Sequence, residues 1–198
     1  DTLDMLLSAG DRLIRAEGAL SGTLAFLLTR LEEGARFSEA VAEAVRLGYT
    51  EPDPVVDLSG GDVGRKALIL GRMSGLLALD APFTLEGLVP SSLAGRPLPE
   101  LLKALEVYDE PLAKRVLEAR ARGEVLRYLA RVDASGVEVG MRAVPLDSTF
   151  GRLRGTDNMI VFETERYDER PLVVTGPGAG VEVTAMGVLS DVMRVAAE

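Results

Sequence analysis

The spacing of apolar residues divides the chain into a part with helical periodicity and a part with strand periodicity. Over 1–124 apolar positions recur mostly every three or four residues, which predicts helices, while 12–20 has the character of a strand. From Val125 the period changes to two, as in VLRYLARV, and four such segments in all lie between residues 125 and 175. The pattern predicts an α/β (α+β) fold in which helices precede a four-stranded, mostly antiparallel sheet.

Capping residues set the expected helix boundaries. Ser38 is expected to cap a helix that ends at Gly48, because serine accepts a bond from the helix N-terminus and glycine adopts the left-handed conformation beyond the last turn. A second helix is expected from about Gly60 to Ser74. The open edges of a small sheet favour pairing with a second copy of the chain, which predicts a homodimer.

Composition excludes several classes of site in this sequence. Its 198 residues carry a net charge of −9, which argues against nucleic acid as a partner, and no apolar run is long enough to span a membrane. The sequence has neither Cys nor His, so it offers no disulfide, zinc site or Ser-His relay. Proton transfer must then use Asp, Glu, Lys or Tyr, and only three of the 22 basic residues are lysines. A cytoplasmic location is compatible with the missing cysteines.

Residues 48–66, GYTEPDPVVDLSGGDVGRK, concentrate acidic groups and one lysine in a short segment. Glu51 and Asp53 each precede a proline, which favours extended geometry and predicts that both carboxylates share one side of the chain. Ser59 and Asp62 have the spacing of a capping box. An acidic turn followed by a capped helix is the structural alternative for this segment.

Asp62 and Lys66 lie four residues apart on the predicted helix, the spacing of an ordinary ion pair. Ile69 and Met73 continue the same stripe as apolar residues, which predicts that the pair faces inward. An inward lysine beside an acid could hold a proton for transfer, and Glu51 could converge on it if the loop folds over the helix. A purely structural pair is the alternative.

The segment GPGAG at 176–180 follows a strand and opens a helix, a setting in which backbone N–H groups can face an anion. Its spacing is not that of a dinucleotide fingerprint, and a tight turn is the structural alternative.

Together these segments resemble the homoserine dehydrogenase family. The resemblance rests on GYTEPDPVVDLSGGDVGRK, on the preceding AEGALSGTLAFLLTRLEEG and on PLVVTGPGAGVEVTAMGVLSDVM, and it extends over essentially the whole chain. It implies the NAD(P)-linked reduction of L-aspartate 4-semialdehyde to L-homoserine, a step toward threonine, methionine and isoleucine. It also implies a division into a substrate-binding region (1–124), a dimerisation sheet (125–175) and a turn with a C-terminal helix (176–198).

The resemblance also implies roles for individual residues. Lys66 takes the position of the catalytic proton donor, and no metal ligand is assigned. The implied substrate-binding residues are Glu51, Asp62, Asp57, Thr23 and Tyr49, and the implied cofactor-binding residues are Gly180 and Gly178.

The sequence departs from the family pattern in two respects. Val55 and Val56 stand where many members carry Arg and Asp. The family's N-terminal Rossmann domain is not in this sequence, so the NAD(P) cofactor would be bound mainly by residues outside this sequence. The chain alone is therefore expected to be inactive. Apolar residues of the last helix, which pack on that domain in the family, would lack their usual cover. A non-catalytic oligomerisation or amino-acid-binding module is the alternative function.

Overall fold

The computed structural model describes residues 2–178 and 180–197, which form eight α-helices, two short 3-10 helices and six strands. The helices and strands, in chain order, are α1 Thr2–Ser8, β1 Leu13–Ala19, α2 Gly22–Glu32, α3 Phe37–Arg46, α4 Pro54–Leu58, α5 Gly61–Met73, β2 Phe83–Leu85, α6 Leu98–Leu105, α7 Asp109–Ala121, β3 Glu124–Asp133, β4 Gly136–Pro145, β5 Asp157–Thr164, β6 Leu172–Pro177 and α8 Val181–Ala197. The 3-10 helices are Ser91–Leu93 and Glu106–Tyr108.

The six strands form one sheet in the order β2-β4-β3-β1-β5-β6. All neighbours are antiparallel except β2 and β4, so the expected mixed fold with a mostly antiparallel sheet is confirmed. The expected strand number was too low, because β1 lies between β3 and β5 and β2 extends one edge. Periodicity identifies a strand but not its partners, so the joining of 13–19 to the later strands could not be anticipated.

Helices pack on the sheet around one main apolar core. Leu24, Leu27 and Leu28 of α2 are buried there, and so are apolar residues of α3, α5, α6 and α7. Burying each such leucine contributes roughly 1.5–3 kcal/mol, so the packing of the helices on the sheet makes the largest contribution to the stability of the fold. A smaller cluster, which includes Leu129, Phe150 and Met159, lies under the β4–β5 loop.

Two of the predicted caps are wrong. Ser38 lies inside α3, where its backbone N–H and its hydroxyl donate to Asp109 at 2.7 and 2.8 Å, so a residue of α7 caps the helix instead. Ser59 follows the short helix α4, which was not predicted. Its hydroxyl accepts from the Gly61 N–H at 3.3 Å, but Gly60, with φ +71°, is the N-cap of α5, so the capping box of Ser59 and Asp62 does not form. Gly48 does end α3 in the left-handed conformation, as expected.

The final helix α8 keeps its apolar side chains exposed within the described residues. Leu189, Val192 and Met193 are each more than half accessible. Over residues 2–178 and 180–197, no helix is both long and apolar enough to cross a membrane.

Candidate active site

One cavity of about 490 Å³ lies between the start of α2, the loop after α3, the start of α5 and the turn after β6. All eight residues to which the sequence assigned site roles are among those that line it. The complete lining consists of Leu20, Ser21, Gly22, Thr23, Gly48, Tyr49, Thr50, Glu51, Asp57, Asp62, Lys66, Thr156, Asn158, Pro177, Gly178 and Gly180.

The end of α3 directs the loop into the cavity. Gly48 and Tyr49 donate their backbone N–H groups to the carbonyls of Val45 and Ala44, the pair of bonds that defines a Schellman motif. The ring of Tyr49 then stacks edge-to-face on Phe26 at 5.1 Å, which fixes the loop on α2.

Asp57 organises the acidic loop from the end of α4. Its Oδ2 accepts from the backbone N–H of Glu51 at 2.8 Å, and its Oδ1 lies 3.3 Å from the hydroxyl of Thr23. That hydroxyl also donates to the backbone carbonyl of Tyr49. Burial raises the pKa of the Asp57 carboxyl, while the bonds from Glu51 and Thr23 oppose the shift and the nearby Glu51 charge adds to it. Asp57 therefore ties the loop to α2 and α4.

Glu51 and Asp53 do not share a side, contrary to the prediction. Glu51 lines the cavity, whereas Asp53 caps α4 by accepting from Val55 N–H at 3.0 Å and from Gly95 N–H at 2.8 Å. The preference of Asp for a helix N-terminus explains the difference. Of the two valines that depart from the family pattern, both in α4, Val55 is buried and Val56 is exposed, and neither lines the cavity.

Lys66 is held by two groups at the cavity wall. Its Nζ lies 2.8 Å from Oδ2 of Asp62 and donates to the backbone carbonyl of Leu20 at 3.1 Å. An ammonium has three N–H bonds, so one remains for a ligand. Both side chains of the pair are about half accessible, and at such exposure an ion pair contributes at most about 1 kcal/mol to stability.

The predicted inward stripe on α5 is wrong. Ile69 and Met73 are 57% and 59% exposed, and the buried side of the helix carries Val63 with the small residues Gly64, Ala67 and Gly71 instead. These small residues allow close packing, because a Cβ at Gly64 would lie 2.8 Å from the ring of Phe83. Lys66 thus faces an open cavity and not the core.

Sequence reasoning missed the part of the wall formed by Thr156 and Asn158, which precede and begin β5. Gly22 approaches Thr156 so closely that a Cβ there would lie 2.8 Å from the Thr156 carbonyl oxygen. The segment GTDN carries only a turn signal, which gives no indication of a neighbour more than 130 residues away.

A buried arginine holds the loop that leads to Thr156. Arg127 is 2% exposed, forms an ion pair with Glu32 of α2, and donates to the carbonyls of Phe150, Gly151 and Leu153, each at 3.0 Å. Alternation along β3 placed Arg127 on a polar side of the sheet, and the loop folds over that side and buries it.

The turn after β6 closes the cavity with residues that lack side chains. Gly178 and Gly180 both line it, and Gly180 has φ +127°, a conformation that L side chains rarely adopt. Ala179, within the predicted GPGAG turn, lies outside the described residues. The part of the chain that the structure describes contains no group of three or more Asp or Glu residues placed to hold a metal ion.

A sequence model of the homoserine dehydrogenase family matches residues 1–193. The chain belongs to the homoserine dehydrogenase family. It is 48% identical over 203 residues to the chloroplastic bifunctional aspartokinase/homoserine dehydrogenase 1 of Arabidopsis thaliana, covering 98% of this chain and 22% of that protein. It is 42% identical over 207 residues to the homoserine dehydrogenase of Paracoccidioides brasiliensis, covering 98% and 55% respectively.

The fold agrees with that of solved structures. A crystal structure of a Candida auris protein of unknown function matches with a TM-score of 0.90 and 40% identity, covering all of this chain and 57% of that one. This chain therefore spans about half the length of the fungal relatives and about a fifth of the plant bifunctional one. Family membership makes it part of an oxidoreductase family of amino-acid biosynthesis whose members generally use NAD(P).

Proposed function

We propose that this chain supplies the substrate-binding half of a homoserine dehydrogenase active site, which reduces L-aspartate 4-semialdehyde to L-homoserine with NAD(P). The observation that carries the proposal is the convergence of Lys66, Asp62, Glu51 and Asp57 on one cavity of about 490 Å³. The cavity has room for a small amino acid. The partly exposed ion pair between Lys66 and Asp62 contributes too little to the stability of the fold to explain why these two residues are present.

The carboxylates suit the ammonium group of the substrate. The cavity is lined by three carboxylates, Glu51, Asp57 and Asp62, and by a single lysine. The formal charge of the cavity is therefore negative, which favours the binding of a cation there. Glu51 and Asp62 are the proposed partners of the ammonium, since charge-assisted bonds to carboxylates are short and strong. Asp57 acts behind them by holding the Glu51 backbone. Thr23 and Tyr49 complete that side of the cavity.

Lys66 is the proposed proton donor. Reduction of the aldehyde places negative charge on its oxygen as the C–H bond forms, and the third N–H of Lys66 is available to that oxygen. Transfer of this proton yields the hydroxyl of homoserine and leaves a neutral lysine, which Asp62 keeps in position. In the reverse direction the same nitrogen accepts the proton.

The cofactor fits the turn after β6. When bound, NAD(P)H supplies the hydride. Both Gly178 and Gly180 lie at the rim of the cavity, and Gly180 has open space where a side chain would stand, which allows a flat ring to approach closely. These two residues would border the cofactor, while most of its binding surface would come from a nucleotide-binding domain outside residues 1–198.

The proposal also includes the assembly and the location of the protein. The sheet has two edge strands, β2 and β6, and pairing between copies through the sheet would make a homodimer. The division at residues 124/125 and 175/176 stays a prediction, as does a cytoplasmic location. The pathway products would be threonine, methionine and isoleucine.

Calorimetric titration of the chain with L-homoserine tests the substrate assignment. We expect Glu51→Gln to weaken binding about tenfold or more, because a charged partner of the ammonium is lost. Glu100→Gln, at an exposed position on α6, is the matched control and should bind like the native chain. Equal affinity of the native and Glu51→Gln forms would contradict the assignment.

Reconstitution tests the role of the lysine. We expect dehydrogenase activity when a nucleotide-binding domain of a family member is added as a separate chain, and loss of that activity with Lys66→Met but not with Lys103→Met. Binding of L-homoserine without any reconstituted activity would favour the alternative of a non-catalytic amino-acid-binding module.

A further inference from the structure

Asn158, near the start of β5, packs directly against Gly178 of the turn after β6. A Cβ at Gly178 would lie 1.8 Å from Nδ2 of Asn158 and 2.4 Å from its Cγ. Real Cβ atoms essentially never approach other atoms this closely, so no other residue fits at 178 while Asn158 stays in place. Gly178 does not have a positive φ, and the space available, not the backbone conformation, requires glycine there.

The neighbouring glycines differ from Gly178 in this respect. Gly176 has no atom within 4 Å of its Cβ position and no positive φ, so neither space nor conformation requires glycine. Gly180 also has open space but needs its φ of +127°. Contact with Asn158 thus distinguishes Gly178 within the turn.

The stability of the fold does not account for an asparagine at 158. Its Oδ1 is buried and has no hydrogen-bond partner among the described residues. Leaving such an oxygen unpaired costs about 1–3 kcal/mol, a cost that an apolar side chain of similar size would avoid. The residue is better explained by what it borders.

Asn158 borders the candidate site on two sides. It lines the main cavity and also a neighbouring cavity of about 450 Å³, and Lys66 and Gly178 line both as well. The contact between Asn158 and Gly178 therefore lies where the two cavities adjoin, and Lys66 borders both of them.

We propose that Asn158 is a positioning residue that sets how closely Gly178, directly after β6, approaches Lys66, and so sets the width of the cavity for a small amino-acid ligand. The identity of that ligand, L-homoserine, rests on the proposed function. Asn158 acts through Gly178 by occupying the space that any side chain at 178 would need.

A double-mutant cycle tests this role. Gly178→Ala should weaken L-homoserine binding about tenfold in the native background but less than threefold in the Asn158→Ala background. There the contacts with Nδ2 and Cγ are gone, and a separation of 3.1 Å from the Asn158 Cβ remains, which a small shift can relieve. A tenfold effect that falls below threefold corresponds to a coupling of more than about threefold in affinity, or about 0.7 kcal/mol. Gly176→Ala is the matched control and should leave affinity unchanged.

Hydrogen exchange of the amides in 176–180 provides a readout that is independent of the ligand. Exchange should accelerate at least fivefold in Gly178→Ala and return toward the native rate in the double variant, with melting temperature recorded for all forms. If the native chain does not bind L-homoserine, the proposed function fails while the exchange data still decide the positioning role. Equal effects of Gly178→Ala in both backgrounds, in binding and in exchange, would overturn the proposal.

Discussion

Replacing Arg127 by methionine should destabilise the fold far more than the same change at a neighbouring arginine of β3. All five N–H groups of Arg127 are used, by Glu32, by the Leu126 carbonyl and by three carbonyls of the β4–β5 loop. Methionine retains much of the side-chain volume but leaves the Glu32 charge, whose side chain is 17% exposed, without a partner.

The expected loss follows from this geometry. Breaking a buried pair by removing one partner costs about 3–5 kcal/mol. For a chain of this size each kcal/mol lowers the melting temperature by roughly 2–4 °C, so Arg127→Met should lower it by about 6–20 °C. Arg131→Met is the control, because Arg131 is half exposed and its pair with Asp133 is worth at most about 1 kcal/mol.

Scanning calorimetry and urea unfolding measure both variants. Arg127→Met with Glu32→Gln should recover part of the loss, since the uncompensated charge is then removed as well. If Arg127→Met melts within about 2 °C of Arg131→Met, the buried network does not hold the loop and the reasoning is refuted.

Three further changes test local features. Gly60→Ala should lower the free energy of unfolding in urea by at least about 2 kcal/mol. Gly60 has a left-handed φ, and a Cβ at this position would lie 1.9 Å from the Tyr128 hydroxyl. Gly61→Ala, the control, should leave the free energy of unfolding unchanged. Asp109→Ala should lower it by about 1–2 kcal/mol by removing the cap of α3, and an unchanged value would contradict that role. Burial raises the pKa of Asp57, so the folded state retains its proton more readily than the unfolded state, and stability falls as the pH rises above the ordinary value of 3.8. Asp57→Asn should therefore gain stability relative to the native chain between pH 4 and pH 7 in urea unfolding, and a difference that does not change with pH would refute this.

The parts of the site that could be predicted are those written within one short segment. Glu51, Asp57, Asp62 and Lys66 lie within sixteen residues of one another, and local signals such as Gly48 as a helix end held in the structure. Their convergence needs only a loop folded back on a helix start. The family resemblance added the roles, which remain proposals for this chain.

The orientation of α5 shows where periodicity misleads. Large apolar residues were expected to mark the buried side, but Ile69 and Met73 are exposed and glycine and alanine are buried. A Cβ at Gly71 would lie 2.7 Å from Val132 of β3, so close approach of the helix to the sheet requires the smallest side chains at the contact. Hydrophobicity scales give such residues little weight, and the buried side is then assigned to the wrong stripe.

The two walls of the cavity thus depend on different kinds of information. The charged wall comes from a continuous segment, and its groups are recognisable one by one. The other wall, with Thr156 and Asn158, is shaped by contacts with Gly22, Gly178 and Arg127 from distant parts of the sequence. These contacts join glycines and an arginine to partners that are distant in sequence, and the sequence pattern does not indicate which partners the path of the chain brings together. The charged groups that line this cavity could therefore be anticipated from the sequence, whereas the shape of the cavity required the fold.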